Sequence, residues 1–355
     1  MKITFAHLGD YHRPLKYFLE KTTAAQIIIP PLTTKKTTLL GSKYSPEIIC
    51  TPFKYNMGNF IEALEMGADT IIHIGGGCKF GYYAEVQEKI LRDLGYEFTF
   101  YNLVPETEFS LKNTYRILKI INPNLKLWKA IHTGLYTVLC VLFKDKLDSI
   151  IRTNKVVIIN QKSLQRIEEN IDDSFYLGKS IFKLVFNYFK YRWQLKKLRK
   201  NKSQDYLRIG IIGELYDNID VHANQELEKK LINMGVRVKR FINATSLLFL
   251  DHRLQKFRLS KIKKYDKYDM GADATPNIYR VKWLKNHRYD GIIHVKPFGC
   301  TPEIGVSHVL ERISYDLDIP IMFLTFDNNN ADIGITTRLE AFYDMLKMRK
   351  ESSHD

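Results

Sequence analysis

The pattern of apolar and polar positions along the chain repeats between its two ends. In both halves, short runs of β-branched residues, which are typical of buried parallel strands, alternate with segments of helical periodicity. The clearest pair is TIIHIGGGCKFG at 70–81 and GIIHVKPFGCT at 291–301, in which an apolar run leads to a glycine followed by a cysteine. This alternation predicts an α/β fold with two Rossmann-like parallel-sheet domains related by internal duplication.

The same pattern sets the expected domain boundaries. We predict a first α/β domain at 1–104 and a second at 207–355. Between them, residues 105–206 show helical periodicity with almost no glycine, which predicts an all-helical insertion. Near the end of the chain, Thr337 followed by Glu340 has the spacing of a capping box and predicts the start of the last helix.

Three cysteines fall at comparable places in this pattern. Cys78 and Cys300 follow the two repeated strands, and open α/β sheets place their ligand sites at the carboxyl ends of strands. Cys50 stands in a Cys-Thr-Pro sequence that recurs at Cys300, and proline suits the first turn of a helix. Thiols at helix N-termini lie beside unpaired amides that favour the thiolate. A cleft between the two domains is the expected place for a site that uses them.

The spacing of these cysteines limits the kinds of site that they could form. Zinc sites use four ligands and usually a CxxC pair, which this chain lacks. A catalytic thiol needs one activated cysteine, so three would be redundant. A cubane iron–sulfur cluster can be held by three thiolates, and nearby basic residues would offset its charge: Lys54, Lys79 and Lys296. Spacing alone leaves open a structural interpretation, in which the cysteines are buried at strand ends and helix caps.

Composition limits the cellular setting. The chain has 355 residues and only four cysteines, and no signal-peptide pattern precedes them, which favours a reducing cytoplasm over a disulfide framework. The fourth cysteine, Cys140, lies in an apolar helical stretch that predicts a buried structural thiol. The longest apolar run, at 135–143, is too short to span a bilayer. We therefore expect a soluble protein without a membrane partner.

The net charge of +15 suggests nucleic acid as a candidate partner. The excess gathers in the middle of the chain, notably in KYRWQLKKLRKNK at 190–202, and such a run is more often a solvated helix face. No helix-turn-helix, zinc-finger or aromatic RNA-binding pattern accompanies it, so nucleic acid is not expected. A surface for an acidic protein partner, or for the phosphates of a coenzyme, stays open.

Four separated motifs resemble a known family. They are SPEIICTPFKYNMGNFIEALEMGAD, GGGCKFGYYAEVQEKILRDLGYEF, VKPFGCTPEIG and TFDNNNADIGITTRLEAF. In order and along nearly the whole chain, they are similar to proteins related to the D-component of 2-hydroxyacyl-CoA dehydratases, especially the stand-alone branch called CoA protein activase. The resemblance implies two Rossmann-like domains and a helical region around one 4Fe–4S cluster, with Cys50, Cys78 and Cys300 as its ligands.

The resemblance also implies a reaction. Electrons would come from a separate ATP-hydrolysing activator with its own iron–sulfur cluster, for the radical dehydration or reduction of an acyl-CoA substrate. The alternative is a non-catalytic cluster protein that transfers electrons or assists maturation. Substrate, activator and oligomeric state stay open, and either a homodimer or a heterodimer is compatible with the pattern.

Two departures from the family bear on these alternatives. The Gly-rich segment carries one cysteine, Cys78, where several relatives have two, so a double-cubane cluster is not expected. The loop DNNNADIG at 327–334 differs from the acidic and small-residue pattern of many catalytic subunits. This difference argues against acyl-CoA turnover by the chain. The chain also has no P-loop sequence, so an ATP-driven step would belong to the partner.

Overall fold

The computed structural model describes residues 1–74, 82–103, 110–176, 180–201, 205–249, 262–265, 270–271, 273–327 and 332–352. The chain divides into two compact units, Met1–Val141 and Leu142–Asp355, and the boundary falls inside the long helix Leu127–Asn154. Each unit contains one four-stranded sheet. The expected domain boundaries at 104 and 206 stay predictions.

Both sheets are entirely parallel and have the same strand order. The first unit has the order β2-β1-β3-β4, with strands β1 (Lys2–Thr4), β2 (Gln26–Ile27), β3 (Thr70–His73) and β4 (Thr99–Asn102). The second has the order β6-β5-β7-β8, with strands β5 (Arg208–Gly213), β6 (Arg237–Arg240), β7 (Gly291–Pro297) and β8 (Ile321–Phe326). The predicted α/β class with two Rossmann-like parallel sheets is confirmed. The internal duplication and the helical insertion stay predictions.

Helices connect the strands in each unit. Those that begin in the first unit are α1 (His12–Thr23), α2 (Lys35–Tyr44), α3 (Thr51–Glu65), α4 (Tyr83–Asp93), α5 (Leu111–Ile121) and α6 (Leu127–Asn154). Those of the second unit are α7 (Gln161–Tyr176), α8 (Ile181–Lys197), α9 (Leu215–Ile219), α10 (Leu227–Asn233), α11 (Ala244–Phe249), α12 (Ala274–Asn286), α13 (Thr301–Leu317) and α14 (Asp332–Ser352). None of the helices in the described ranges is long and apolar enough to cross a membrane.

An aspartate fastens the first strand of each sheet to the third. The Lys2 amide donates to the Asp69 carboxylate at 2.8 Å, and the Asp69 amide donates back to the Lys2 carbonyl at 3.0 Å. In the second unit, the Arg208 amide and the Asp290 carboxylate are 2.7 Å apart, with the matching return bond at 2.9 Å. Each aspartate stands directly before the third strand, so it sets the parallel register where the strands begin.

Helices cover both faces of the second sheet, as an all-parallel sheet requires. Side chains alternate along a strand, so Ile209 and Ile211 of β5 face α10 and α14, where Leu231 and Leu339 lie in the same cluster. Ile212 belongs to the opposite cluster, whose helical members come from α12 and α13: Ala274, Ile278, Val281, Leu284, Val306, Leu310 and Ile313. Strand β5 is therefore apolar on both sides.

The first sheet is covered in the same way. Ile71 of β3 packs with Phe60 and its neighbours on α3, whereas Ile72 packs with Leu19 of α1 and Ile117 of α5 on the other face. Since successive residues of one strand enter different cores, the β-branched run is buried throughout.

Helices α2 and α3 cross at two glycines. A methyl group at Gly58 would lie 2.0 Å from the Thr37 carbonyl oxygen, and one at Gly41 would lie 1.8 Å from the Lys54 carbonyl oxygen. The backbones are thus in direct contact, and the Thr37 hydroxyl donates to the buried Glu62 carboxylate at 2.7 Å beside the crossing. This crossing fixes the position of α3, the helix whose N-cap is Cys50.

The expected start of the last helix was wrong. Helix α14 begins at Asp332 rather than at Thr337, and the Thr337 hydroxyl donates to the Ile333 carbonyl at 3.1 Å within the helix. A threonine inside a helix can bond back to the carbonyl four residues earlier. The Thr-x-x-Glu spacing therefore has no capping role here.

Replacing Gly58 with alanine tests the helix crossing. We expect Gly58→Ala to lower the free energy of unfolding by about 2–3 kcal/mol, because the methyl group meets backbone that cannot rotate away. Gly134→Ala is the control, since its methyl group would meet only Phe18 at 3.9 Å. This control should be neutral or stabilising by up to about 1 kcal/mol, through the higher helix propensity of alanine. Urea unfolding measures both, and equal effects would contradict the crossing.

Candidate iron–sulfur ligands and a buried acidic network

Cys300 stands at the carboxyl end of β7 and is the N-cap of α13. Thr301 and Pro302 occupy the first two helical positions, and Gly299 makes the turn with a φ of +79°. The predicted helix start at Cys-Thr-Pro is confirmed here. The Cys300 side chain is partly exposed, and the positive end of the helix dipole adjoins it.

Cys50 is likewise an N-cap, on α3, with Pro52 in the first turn. Helix α3 leads directly into β3, so its first turn points toward the carboxyl edge of the first sheet. The buried Cys50 Sγ lies 2.5 Å from the Tyr83 hydroxyl oxygen, and Tyr83 begins α4 after the segment that contains Cys78. The predicted helix start is confirmed for this cysteine as well.

The other predicted site residues have different settings. Cys78 and Lys79 lie outside the described residues. The Lys54 ammonium donates to the Glu47 carbonyl at 3.0 Å, three residues before Cys50, and the Lys296 ammonium donates to the Ser307 hydroxyl at 3.3 Å on α13. Cys140 is buried in α6, as expected.

Cys50 and Cys300 belong to different units of the chain. Within the described ranges, which omit Cys78, His, Cys, Asp and Glu side chains form no group of three or more that could hold a metal ion. The ligand set of three cysteines therefore stays a prediction.

A buried polar network, absent from the sequence-based expectations, lies under the carboxyl end of the second sheet. His294 of β7 places its Nε2 atom 2.6 Å from a Glu303 carboxylate oxygen, and both side chains are almost fully buried. Asn277 of α12 donates to both oxygens of the same carboxylate, at 3.1 and 3.2 Å. Glu303 lies in the first turn of α13, where the helix dipole also favours negative charge. These contacts hold a buried carboxylate three residues after Cys300.

Asn277 also fixes the end of β5. Its side chain accepts from the Gly213 amide and donates to the Gly213 carbonyl, each at 3.2 Å. Gly213 has a φ of +129°, and a methyl group there would lie 1.8 Å from the Val295 carbonyl oxygen, so only glycine fits. Arg280 donates to the Asn277 side chain at 2.8 Å and lies 3.4 Å from the Asp273 carboxylate. The network thus joins β5, β7, α12 and α13.

Two further carboxyl groups lie after β5, Glu214 directly after the strand and Asp217 in the short helix α9. Burial, together with the nearby Asp273 and Glu303 carboxylates, raises the pKa of Glu214 from 4.5 to about 8. Burial and the Glu214 carboxyl raise the pKa of Asp217 well above its ordinary value. Both Asp217 carboxyl oxygens are buried without a hydrogen-bond partner among the described residues. These groups stand at the switch point between β5 and β7, where doubly wound sheets bind ligands.

In the first unit, the histidine of the repeated Ile-Ile-His sequence bonds an uncharged side chain. His73 of β3 bonds through Nε2 to the Gln87 amide oxygen at 3.1 Å, and the Gln87 amide donates to the Phe53 carbonyl at 3.2 Å. Burial lowers the pKa of His73 to about 4, so the ring is neutral at physiological pH. The repeated Ile-Ile-His sequence therefore meets an amide in one unit and a carboxylate in the other.

The sequence contains a signal for part of this network. Glu214 comes directly after the strand RIGIIG, and Glu303 belongs to CTPEIG, the same segment that contains Cys300. Polar residues directly after parallel strands are candidates for ligand sites. Asn277 gives no such signal, because its role depends on contacts with residues 26 and 64 positions away.

Comparisons with protein-family models and with curated proteins found no match to this chain. The resemblance to the dehydratase-related family therefore rests on the motifs themselves.

The pKa of Glu214 predicts how stability depends on pH. The pKa of Glu214 in the folded protein, about 8, exceeds the ordinary value of 4.5. The contribution of this group to the free energy of unfolding is therefore fully present below about pH 4.5 and is lost as pH rises through about 8. We expect Glu214→Gln to lose less stability between pH 5 and pH 9 than the unaltered protein, by on the order of 2 kcal/mol.

Urea unfolding at both pH values measures this difference. Glutamine keeps an acceptor for the Asp217 amide, which bonds the Glu214 side chain at 3.0 Å. The exposed Glu340→Gln is the control and should follow the unaltered protein. Parallel stability curves for Glu214→Gln and the control would contradict a buried, protonated Glu214.

Proposed function

We propose that this chain is an iron–sulfur protein of the kind found in 2-hydroxyacyl-CoA dehydratase systems, with Cys50, Cys78 and Cys300 as ligands of one 4Fe–4S cluster. One observation carries the proposal: Cys50 and Cys300 both occupy the N-cap position of a helix whose first turn contains proline. Each helix begins at the carboxyl side of its parallel sheet, where α/β proteins place their ligands.

The two described cysteines have the chemistry that cluster ligands require. Unpaired amides at the helix N-terminus stabilise a thiolate, which is the form that binds iron. The Tyr83 hydroxyl lies within hydrogen-bonding distance of the Cys50 sulfur, and hydrogen bonds to ligand sulfurs tune the potential of iron–sulfur clusters. Lys54, in the first turn of α3, and Lys296, whose ammonium bonds Ser307 of α13, add positive charge to the two helices that have these cysteines as N-caps.

When bound, the cluster supplies low-potential one-electron chemistry, and an iron without a cysteine ligand is available to a substrate. The family resemblance gives an acyl-CoA as the substrate class and a separate ATP-hydrolysing activator as the electron donor. The chain's own residues position the thiolates and place ionisable groups at the carboxyl edge of the second sheet. There, Glu214 holds a proton on its carboxyl group at neutral pH, because its pKa is raised to about 8.

Anaerobic reconstitution with iron and sulfide tests the cluster. We expect about four iron and four sulfide ions per chain, with visible absorption that oxygen bleaches. Cys50→Ala, Cys78→Ala and Cys300→Ala should each lose more than about half of the bound iron, because two thiolates hold a cubane poorly. Iron and sulfide far below four per chain in the unaltered protein would favour the structural role of these cysteines.

Cys140→Ala is the matched control for these variants. This thiol is buried in the middle of α6 rather than at an N-cap, so its removal should leave the iron content unchanged. Iron loss comparable to that of Cys78→Ala would show that the ligand set is wrong. Once the cluster is established, acyl-CoA turnover with a reduced activator separates an enzyme subunit from a non-catalytic electron carrier.

A further inference from the structure

Helix α8 exposes four aromatic side chains in one line. Phe182 is 89% exposed, Phe186 67%, and Phe189 and Trp193 57% each. Their spacing of four, three and four residues places them on a single side of the helix. We call these four residues the aromatic stripe. Exposing so much apolar surface in one patch is unusual and marks an interaction site.

The opposite side of α8 is anchored in the second unit. Its buried residues are Leu184, Asn187, Tyr188, Tyr191 and Leu195. Tyr188 stacks on Phe143 of α6 with ring centres 4.4 Å apart, and the Tyr191 hydroxyl donates to the Asn170 carbonyl of α7 at 3.1 Å. Rotating α8 to bury the stripe would break these contacts, so the outward orientation follows from the fold.

Basic residues border the stripe on both sides. The helical period places Lys183, Lys190 and Lys197 along one edge and Arg192 and Lys196 along the other. No aspartate or glutamate occurs in α8. The Lys197 ammonium lies 3.7 Å from the centre of the Trp193 ring. The helix therefore presents an apolar ridge between two rows of positive charge.

We propose that this face of α8 docks on an anionic membrane surface. The phenylalanine rings enter the boundary between headgroups and acyl chains, while the lysine side chains extend to lipid phosphates on either side. Tryptophan favours this interface because its ring is amphipathic. The net charge of +15 attracts the whole chain to such a surface over longer distances.

This proposal changes the sequence-based expectation of a solvated helix face and no membrane partner. Residue type favours lipid over an acidic protein, because lysine is depleted in protein interfaces and four of the five flanking cations are lysine. The shape of this face also favours lipid, because an exposed ridge can enter a fluid membrane interface, whereas a protein partner would need a matching groove.

The first experiment measures co-sedimentation of the full chain with two kinds of vesicle, phosphatidylglycerol mixed with phosphatidylcholine and phosphatidylcholine alone. We expect binding to the anionic vesicles that weakens as salt increases. Lys190→Glu with Lys197→Glu should weaken it at least about tenfold. The control, Lys162→Glu with Lys347→Glu, changes net charge equally at exposed positions of α7 and α14 and should bind nearly normally. Equal binding to both vesicles, or equal loss in both variants, would overturn the proposal.

A second pair of variants tests the aromatic side chains. Phe186→Ser with Phe189→Ser should weaken binding to anionic vesicles about tenfold at every salt concentration, because the apolar contribution does not depend on salt. Ile333→Ser with Met348→Ser removes two exposed apolar side chains from α14 and should leave binding unchanged. Unchanged binding in the phenylalanine variant would show that the stripe does not enter lipid.

Tryptophan fluorescence locates the contact. Adding anionic vesicles should shift the emission to shorter wavelength, and Trp193→Phe should abolish this shift while binding persists. A shift that persists in Trp193→Phe would place another surface against the lipid. Sedimentation without vesicles supplies a further check: if the chain self-associates and Phe186→Ser with Phe189→Ser makes it monomeric, the stripe joins two copies and the membrane proposal is wrong.

Discussion

The need to cover both faces of each parallel sheet determines where functional groups can lie in this protein. A parallel strand such as β7 is followed by a helix that packs back on the sheet, so that helix begins at the carboxyl edge of the strands. Helix α3, which runs back toward the start of β3, begins at the same edge of its own sheet. Cys50 and Cys300 thus sit at helix N-termini because of chain direction, and the local field favours thiolates there.

Burying a charged side chain costs free energy, and the two units avoid this cost in different ways. Glu303 keeps its carboxylate buried because His294 and Asn277 supply hydrogen bonds to it. Glu214 has weaker compensation and responds by a raised pKa instead. In the first unit, Gln87 bonds His73 without introducing a charge. Two buried carboxyl groups with raised pKa values, Glu214 and Asp217, therefore lie together after β5 of the second sheet.

The cluster proposal and the membrane proposal use separate parts of the chain. The aromatic stripe of α8 lies on the exposed face of that helix, whereas Cys300 and the buried polar network lie at the carboxyl end of the second sheet. An electron-transfer protein on an anionic membrane surface would meet partners in two dimensions rather than three. The two proposals can fail independently, since loss of lipid binding need not alter iron content.

The sequence by itself determined the two repeated strands β3 and β7, the parallel α/β class and the helix starts after Cys50 and Cys300. These features depend on local signals, namely β-branched runs, chain alternation and proline in a first turn. The prediction of a helix start from local spacing was wrong at Thr337, because this Thr-x-x-Glu pattern lies inside α14. Tertiary structure alone decided the Gly41 and Gly58 crossing, the bonds of Asn277 and the outward orientation of α8. Each depends on atoms that are distant in sequence, and only packing determines which of them meet.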